Sequence, residues 1–221
     1  MKTTKYPKSR RGASRRGKIA VLKRAKVTNG KLGDRVAKGR WKGLPIYALT
    51  LTERETCPAT CHHWGDCFGN NMPFAHRWRA GSALERAVEA EVATAMERHP
   101  EGIVVRLHVL GDFYSVGYVR MWQRLLDRHR GLRLFGYTAR PPRGRIGREV
   151  VKLNRAWTRC VIRFSQKDAG PDRTRTRRWA VGEDAEASDA FGCPEQTGQA
   201  EDCARCAACW QSLRPVKFFT H

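Results

Sequence analysis

The sequence predicts an α/β protein: an incomplete parallel (β/α)6 barrel with a basic N-terminal tail and a cysteine-rich C-terminal segment. Strand-like and helix-like segments alternate along the chain, which favours parallel strands joined by right-handed crossovers. Residues 103–112 (IVVRLHVLGD) are almost continuously apolar, as strands buried on both faces are. A chain of 221 residues is short for a closed eight-unit barrel, which needs about 250.

The strands are predicted from short apolar runs bounded by turn residues. The first run (IYALTLT) shows apolar alternation, and the third follows Gly131, which can end the preceding helix. The predicted strands are 46–52, 103–112, 132–139, 160–166, 179–182 and 216–220.

Helices are predicted between these strands from apolar residues at helical spacing. Ser82 and Ser115 can cap the first two, which end at Arg98 and Arg128. A third helical pattern covers residues 146–157, after a loop rich in Pro and Arg.

The charge of the chain is strongly positive, with 43 Lys and Arg against 21 Asp and Glu, a formal net charge of +22. Residues 1–42 alone contribute +15, because sixteen basic residues face one acid, Asp34. Such a balance predicts a nucleic-acid partner, since Lys and Arg release counterions from a phosphate backbone. The alternative is an Arg-rich composition that only solubilises the protein.

The domain prediction follows the same boundaries. Residues 1–42 form a basic, flexible tail, 43–190 the partial barrel, and 191–221 a metal-binding segment with the last strand. No apolar run approaches the ~20 residues of a membrane span, so we expect no membrane partner. The basic N-terminus lacks the apolar stretch of a secretory signal, which predicts a cytoplasmic protein. The sequence does not indicate an oligomeric state.

Seven of the eight cysteines fall into two groups, and in a reducing cytoplasm grouped cysteines more often bind metal than form disulfides. The first cysteine group is Cys57, Cys61 and Cys67, spaced C-x3-C-x5-C after the first predicted strand. Three thiolates on one loop suit a [4Fe-4S] cluster with one iron left open. His62 or His63 could supply a fourth ligand, so zinc is the alternative.

The second cysteine group is Cys193, Cys203, Cys206 and Cys209, spaced C-x9-C-x2-C-x2-C. The overlapping C-x2-C steps are more typical of ferredoxin-type ligation than of a zinc ribbon, and they predict a second [4Fe-4S] cluster, with structural zinc as the alternative. The remaining Cys160 begins an apolar strand and is predicted to be a buried structural thiol.

Polar residues at strand ends are the catalytic candidates, because parallel strands place their carboxyl ends on one face. Asp112 follows the second predicted strand and could act as a base or hold an ammonium group. Arg140 follows the third strand and could grip a phosphate or carboxylate. His221 follows the sixth. Several tryptophans also lie near basic residues, as base-stacking platforms do, although packing explains most of them: Trp41, Trp64, Trp78 and Trp179.

Five segments occur in order over residues 44–221: TCPATCHHWGDCFGNN, HVLGDFYSVGYVRMW, FGYTAR, GCPEQTGQAEDCARCAACW and VKFFTH. They resemble the "gene product eighty-eight" family of bacteriophage and prophage proteins. This resemblance implies that the protein works in the cytoplasm of a phage host.

The layout is also similar to radical SAM enzymes, which place a three-cysteine loop after the first strand of a partial β/α barrel. This resemblance implies that the first cysteine group holds a cluster that reduces S-adenosylmethionine. It further implies that Gly111 and Asp112 meet the methionyl amino group, and Tyr137 at the next strand end is a further candidate cofactor contact. The usual motif is C-x3-C-x2-C with an aromatic before the last cysteine, whereas here Phe68 follows it.

The leading hypothesis is therefore an iron–sulfur, radical-SAM-like phage enzyme that acts on nucleic acid, DNA rather than RNA, by base modification or related chemistry. The alternative is a non-catalytic nucleic-acid-binding protein whose cysteine groups are structural metal sites.

Overall fold

The computed structural model describes residues 20–61, 63–65, 67–73, 75–156, 158–165, 191–212 and 214–218, together with the backbone of 178–181. Its strands are β1 (Lys23–Arg24), β2 (Ile46–Ala48), β3 (Ile103–Leu107), β4 (Leu132–Thr138), β5 (Cys160–Ser165), β6 (Arg178–Val181), β7 (Phe191–Gly192) and β8 (Val216–Phe218). They form one sheet in the order β1-β2-β3-β4-β5-β6-β8-β7.

The sheet is mostly parallel, as the sequence predicted. Only β1 runs antiparallel to its neighbour, and the other adjacent pairs of described strands are parallel. The six predicted strands are all present, and the edge strands β1 and β7 are additional. Within the described residues β1 and β7 have one neighbour each, so the sheet has two open edges, and closure towards a barrel stays a prediction.

The described helices are α1 (Ala25–Thr28), α2 (Glu53–Thr56), α3 (Ser82–Arg98), α4 (Val116–Arg128), α5 (Arg145–Leu153), α6 (Cys203–Cys206) and α7 (Ala208–Gln211). The three long ones, α3, α4 and α5, are the predicted crossovers. The predicted cap of α4 is confirmed, since the Ser115 hydroxyl accepts a hydrogen bond from the Tyr118 amide at 3.0 Å. At α3, Gly81 occupies the capping position and Ser82 is the first helical residue. In the described part, none of the helices is both long and apolar enough to cross a bilayer.

The two faces of the sheet bury different partners, because successive strand side chains point to opposite sides. One face, carrying Val105, Leu134 and Ile162, packs against the three long helices. The other face carries Val104, Phe135 and Val161, and its cover contains short helical turns and loops but no long helix. It consists of residues 25–44 from the N-terminal part and the cysteine-bearing turns of residues 203–210.

Residues 20–42 differ from the expected flexible tail, because they contribute buried side chains to the core, most of them on this second face. Trp41 stacks on Trp210 with ring centroids 5.6 Å apart, and the Trp41 indole nitrogen donates to the Thr158 carbonyl at 2.9 Å. Gln211 donates to the Lys38 carbonyl at 3.0 Å. This packing could not be predicted from the sequence, because the few apolar residues of this segment are dispersed among Lys and Arg. Only residues 1–19 of the predicted tail lie outside the described part.

His108, just after β3, makes the folded state sensitive to acid. Its ring is 3% exposed, its Nε2 lies 2.9 Å from the Tyr118 hydroxyl, and its Nδ1 has no hydrogen-bond partner among the described residues. Burial, and secondarily the positive charge of Arg106, lowers the pKa of His108 from 6.5 to about 3. The unfolded chain therefore binds a proton between these pH values that the folded chain excludes, and the stability that neutral His108 contributes is lost as the pH falls.

We expect this one residue to lower the free energy of unfolding by about 2 kcal/mol between neutral pH and pH 5. Urea titrations of the wild type and of His108→Gln at several pH values test this, since glutamine keeps a polar partner for Tyr118 without titrating. The variant should lose less stability on acidification, and parallel pH profiles for the two proteins would contradict the assignment.

Candidate metal centres

The first cysteine group lies on a loop at the carboxyl end of β2. Helix α2 ends at Cys57, whose amide donates to the Glu53 carbonyl at 2.9 Å. Two turns follow, in which the Cys61 amide donates to the Pro58 carbonyl and the Asn70 amide donates to the Cys67 carbonyl. These turns fold the loop so that its thiols interact. Burial raises the pKa of Cys57, and the charges of Asp112, Cys61 and Cys67 raise it further.

A buried ion pair between Arg77 and Glu53 holds this loop in place. Arg77 donates from Nε to the Glu53 carboxylate at 2.8 Å, and the two side chains are 1% and 2% exposed. The rest of the Arg77 guanidinium donates to the carbonyls of Met72, Ala75 and Gly69 at 2.9 to 3.0 Å. One arginine therefore fixes both the start of the loop, through Glu53, and its return segment. The sequence analysis missed this pair, because neither residue belongs to a recognisable motif.

Gly69 shows how closely the loop packs around Cys67. Its amide lies 3.4 Å from the Cys67 sulfur as a donor, and this hydrogen bond lowers the pKa of a thiol that burial raises. A Cβ atom at Gly69 would lie 2.4 Å from a Glu53 carboxylate oxygen. Glycine at this position therefore admits both the amide–sulfur contact and the buried carboxylate.

A strand-end network joins the loop to the carboxyl ends of β3 and β4. It consists of Thr56, Asp112, Thr138 and Arg140. One Asp112 carboxylate oxygen accepts from the Thr138 hydroxyl at 2.7 Å and the Phe113 amide at 2.6 Å, and the other accepts from the Ala139 amide at 2.8 Å. The Asp112 amide donates to the Thr56 hydroxyl at 3.2 Å. Sequence analysis nominated Asp112 and Arg140 but missed Thr56.

Asp112 is thus brought beside the first cysteine group, as the sequence predicted, but its carboxylate is 2% exposed and bonded to the protein itself. Burial raises its pKa to about 6, although the hydrogen bonds from Thr138, Ala139 and Phe113 oppose the shift. Gly111 precedes it at φ +85°, and a Cβ there would lie 2.6 Å from Leu51 Cβ and from the Thr56 hydroxyl. Glycine thereby lets the end of β3 approach the cysteine loop.

Arg140 holds the network together rather than presenting its planar fork to solvent. Its Nε donates to the Phe113 carbonyl at 2.8 Å, and its Nη2 donates to the Thr56 carbonyl, one residue before Cys57. A phosphate bound by Arg140, as predicted, would therefore compete with these two carbonyls for the guanidinium. In this arrangement Arg140 positions the first cysteine of the loop.

The second cysteine group is folded by tight turns on the face of the sheet opposite the three long helices. Cys193 follows β7 and donates from its amide to the Lys217 carbonyl of β8 at 2.9 Å. Helices α6 and α7 carry the other three cysteines and are joined by Ala207 in the left-handed region at φ +58°. Burial raises the pKa of Cys193 to about 11, and the neighbouring Cys209 also raises it, whereas amides of Gln196 and Glu195 lower it.

Three strand residues line this second group: Arg106, Tyr137 and Arg163. Tyr137 and Arg163 are direct neighbours on β4 and β5. Arg163 is fully buried and donates to the carbonyls of Cys209, Arg214 and Ser212 at 2.9 Å each. The Arg106 guanidinium lies 4.2 Å from the centre of the Tyr137 ring. Burial lowers the pKa values of Arg106 and Arg163, and Cys209 raises both, so positive charge lies beside the thiols.

This location corrects one expectation for Tyr137. It was nominated with Gly111 and Asp112 as a cofactor contact, yet it faces the second cysteine group, and Cys209 is the leading charged influence on its raised pKa after burial. The alternation of β4 explains the difference, because Thr138 points towards Asp112 while Tyr137 shares the opposite face with Phe135. Cys160 is buried as predicted, with its thiol 3.8 Å from the Asn154 side-chain oxygen. His62 and His221 lie outside the described residues.

The donor chemistry of both groups can be tested against the metals the sequence suggested. Among the described residues, no three His, Cys, Asp or Glu side chains converge as ligands of a single ion. A tetrahedral zinc site needs its sulfurs about 3.8 Å apart, given Zn–S bonds near 2.3 Å. A cluster instead takes one thiolate per iron and spreads them more widely. Amide–sulfur hydrogen bonds and, at the second group, flanking arginines surround the thiols, and the choice between a cluster and zinc stays a prediction.

Comparison with known proteins identifies the family but no characterised relative. No curated protein and no solved structure matches the chain. The similarity to radical SAM enzymes therefore stays a prediction. The family model described as Gene product 88 matches residues 20–212, which include both cysteine groups, the strand-end network and the N-terminal segment packed on the second face. The match begins earlier than the motifs at 44–221 suggested. The chain belongs to the Gene product 88 family of phage proteins.

Proposed function

We propose that this protein is an iron–sulfur enzyme of a phage, with radical-SAM-like partial-barrel architecture, that acts on nucleic acid in the host cytoplasm. The observation that carries the proposal is the strand-end network. Through Thr56 and Arg140 it ties the first cysteine group to the carboxyl ends of two parallel strands, where β/α proteins assemble their active sites. A purely structural metal site has no need of that position.

The first cysteine group would hold a [4Fe-4S] cluster, and the second group would hold another with all irons bound by the protein. A cluster with three protein ligands supplies electron transfer and one iron that a substrate or cofactor can reach. Burial and neighbouring charge keep the thiols of Cys57 and Cys193 protonated in the absence of metal. Cluster assembly would therefore release protons and stabilise the fold.

The residues of the chain then have distinct tasks at the first group. Glu53 and Arg77 hold the loop rigid, and Arg140 fixes the backbone before Cys57. Asp112 orients Thr138 and the Ala139 amide, so the two strand ends keep their spacing when substrate approaches. Its raised pKa, about 6, would let it hold a proton under mildly acidic conditions.

S-adenosylmethionine fits this arrangement less well than the cluster does. The ammonium group of the methionyl moiety needs an accessible acceptor, whereas the Asp112 carboxylate is buried and accepts three hydrogen bonds from the protein. We therefore assign no step to this cofactor and leave its binding to direct titration.

The nucleic-acid partner is supported by charge. A net charge of +22 on 221 residues favours association with a polyanion, and binding should weaken steeply with salt. Because a base inside a duplex is inaccessible, we expect a single-stranded or flipped substrate, with DNA preferred to RNA.

The alternative is a non-catalytic nucleic-acid-binding protein whose cysteine groups only stabilise the fold. It is favoured by one specific observation: the carboxylate of Asp112 and the guanidinium of Arg140, the two catalytic candidates within the described part of the chain, both form hydrogen bonds with the protein itself.

Metal analysis of protein purified without oxygen separates the two candidates. The enzyme proposal predicts iron and sulfide in equal amounts, about four to eight of each per chain. It also predicts an electron-spin resonance signal from the reduced first cluster that changes when substrate or S-adenosylmethionine is added. Zinc without sulfide, or a signal indifferent to every added ligand, would favour the structural alternative.

A further inference from the structure

Large apolar side chains are exposed at few places in the described chain, and these border the first cysteine loop. Trp64 is 38% exposed, Phe68 is 36% exposed and Val27 is 81% exposed. Trp64 lies between Cys61 and Cys67, and Phe68 directly follows Cys67. Val27 borders a cavity of about 210 Å³ that is also lined by Met72 and other residues of the segment following this loop. By contrast, Trp41 and Trp78, also nominated as stacking residues, are 1% exposed and serve the core.

Arg54 contacts both the ring and the backbone carbonyl of Trp64. Its guanidinium carbon lies 4.6 Å from the centre of the Trp64 ring, and its Nη1 donates to the Trp64 carbonyl. The same positive charge lowers the pKa of Cys67, which shows that Arg54 is close to that thiol as well. One face of the indole is thus paired with a cation, and the ring remains partly open to solvent.

Small residues are exposed on the same loop as the two rings. Ala59, Thr60 and Gly65 are small and exposed on the same loop, and a Cβ added at Gly65 would meet no atom within 4 Å. Proteins that bind single strands combine exposed aromatic rings with arginine on a surface of small residues. Unpaired bases stack on the rings, and the arginine contacts the phosphates.

We propose that Trp64 and Phe68 form a stacking platform for the bases of single-stranded nucleic acid, with Arg54 positioned for the phosphate backbone, directly beside the first cysteine group. The inference rests on the proposed action on nucleic acid and names the surface where the strand binds. It commits to single-stranded nucleic acid because the chain has a net charge of +22 and the exposed Trp64 ring lies against the Arg54 guanidinium.

The test compares two fluorescent oligonucleotides of about 12 nucleotides, one with bases and one abasic along its length, bound to the full-length chain at ~0.2 M salt. We expect Trp64→Ala and Phe68→Ala each to weaken binding of the base-bearing strand by about 10- to 100-fold, and binding of the abasic strand hardly at all. Trp64→Tyr should retain most of the affinity, since a ring remains. Val27→Ala removes an exposed apolar group without a π face and is the matched control, expected to change neither affinity.

Three outcomes would overturn the proposal. The alanine variants would bind the base-bearing strand as the wild type does, or they would lose affinity for both strands equally. Alternatively, the wild type would bind neither strand, in which case the surface would serve a protein partner. The iron content of each variant is measured in parallel, so that a failure of this inference is distinguishable from a failure of the proposed cluster. Iron-containing protein without base stacking refutes only the platform, and base stacking by iron-free protein refutes only the enzyme.

Discussion

Replacing Cys61 by serine is expected to remove about four irons and four sulfides per chain while leaving the second centre intact. Serine is isosteric but a far poorer iron ligand, and the first group offers only three thiols, so the loss of one leaves two. The loop itself should survive, because Glu53 and Arg77 anchor it independently of the cysteines. Iron and sulfide analysis, together with the visible absorption of the oxidised protein, measures the change.

The matched control is Cys160→Ser, the same chemical change at a cysteine outside both groups. Cys160 is 1% exposed and has an oxygen of Asn154 as its neighbour, which can accept from a serine hydroxyl. Its iron content should equal that of the wild type. Cys206→Ser, in the second group, should remove the other set of irons. If Cys61→Ser and Cys160→Ser contain the same iron, the first cysteine group does not bind a cluster.

Replacing Arg77 by methionine is expected to lower the free energy of unfolding by about 3–5 kcal/mol. The change leaves the Glu53 carboxylate as an uncompensated charge at 2% exposure and deprives three loop carbonyls of their donor. Because the same arginine shapes the loop around Cys67, loss of cluster should accompany loss of stability. Urea unfolding and iron analysis of the same samples measure both effects.

The chain offers a close control two residues away. Arg79 pairs with Glu55 at 3.1 Å, at the same separation in sequence, but the two side chains are 39% and 31% exposed. Arg79→Met should cost at most about 1 kcal/mol, since water screens an exposed pair. The double variant Glu53→Leu/Arg77→Met should regain part of the loss because no unpaired charge remains. Equal destabilisation by Arg77→Met and Arg79→Met would show that burial of the pair does not matter.

Local patterns were sufficient to predict much of the fold. The crossover helices follow from apolar residues at helical spacing, and β3 to β5 from apolar runs, because both signals arise within a few neighbouring residues. The cap at Ser115 follows from the same kind of local chemistry. The two cysteine groups were proposed from spacing alone, and in the structure Cys61 and Cys67 raise the pKa of Cys57, while Cys209 raises those of Cys193 and Cys203. That these groups bind metal stays a prediction.

Features that depend on distant partners could not be predicted in this way. The chain has 43 Lys and Arg, and no local pattern distinguishes Arg77 or Arg163 from the others. Their burial depends on partners distant in sequence: Arg77 pairs with Glu53, and Arg163 donates to the Cys209 carbonyl. Tyr137 was assigned to the wrong neighbours although its strand alternation was available as a signal. The composition of residues 20–42 predicted a segment too basic to pack against the core. The structure shows that most of their buried side chains contact the segment that carries the second cysteine group.

Both ends of the described chain cover the second face, and this has a consequence for how the protein folds during its synthesis. Arg40 donates to the carbonyl of Trp210, and Gln211 to that of Lys38, across separations of 170 and 173 residues. During synthesis the N-terminal segment must wait, with its apolar groups uncovered, until Trp210 and Gln211 have left the ribosome. Such long-range closure is slow.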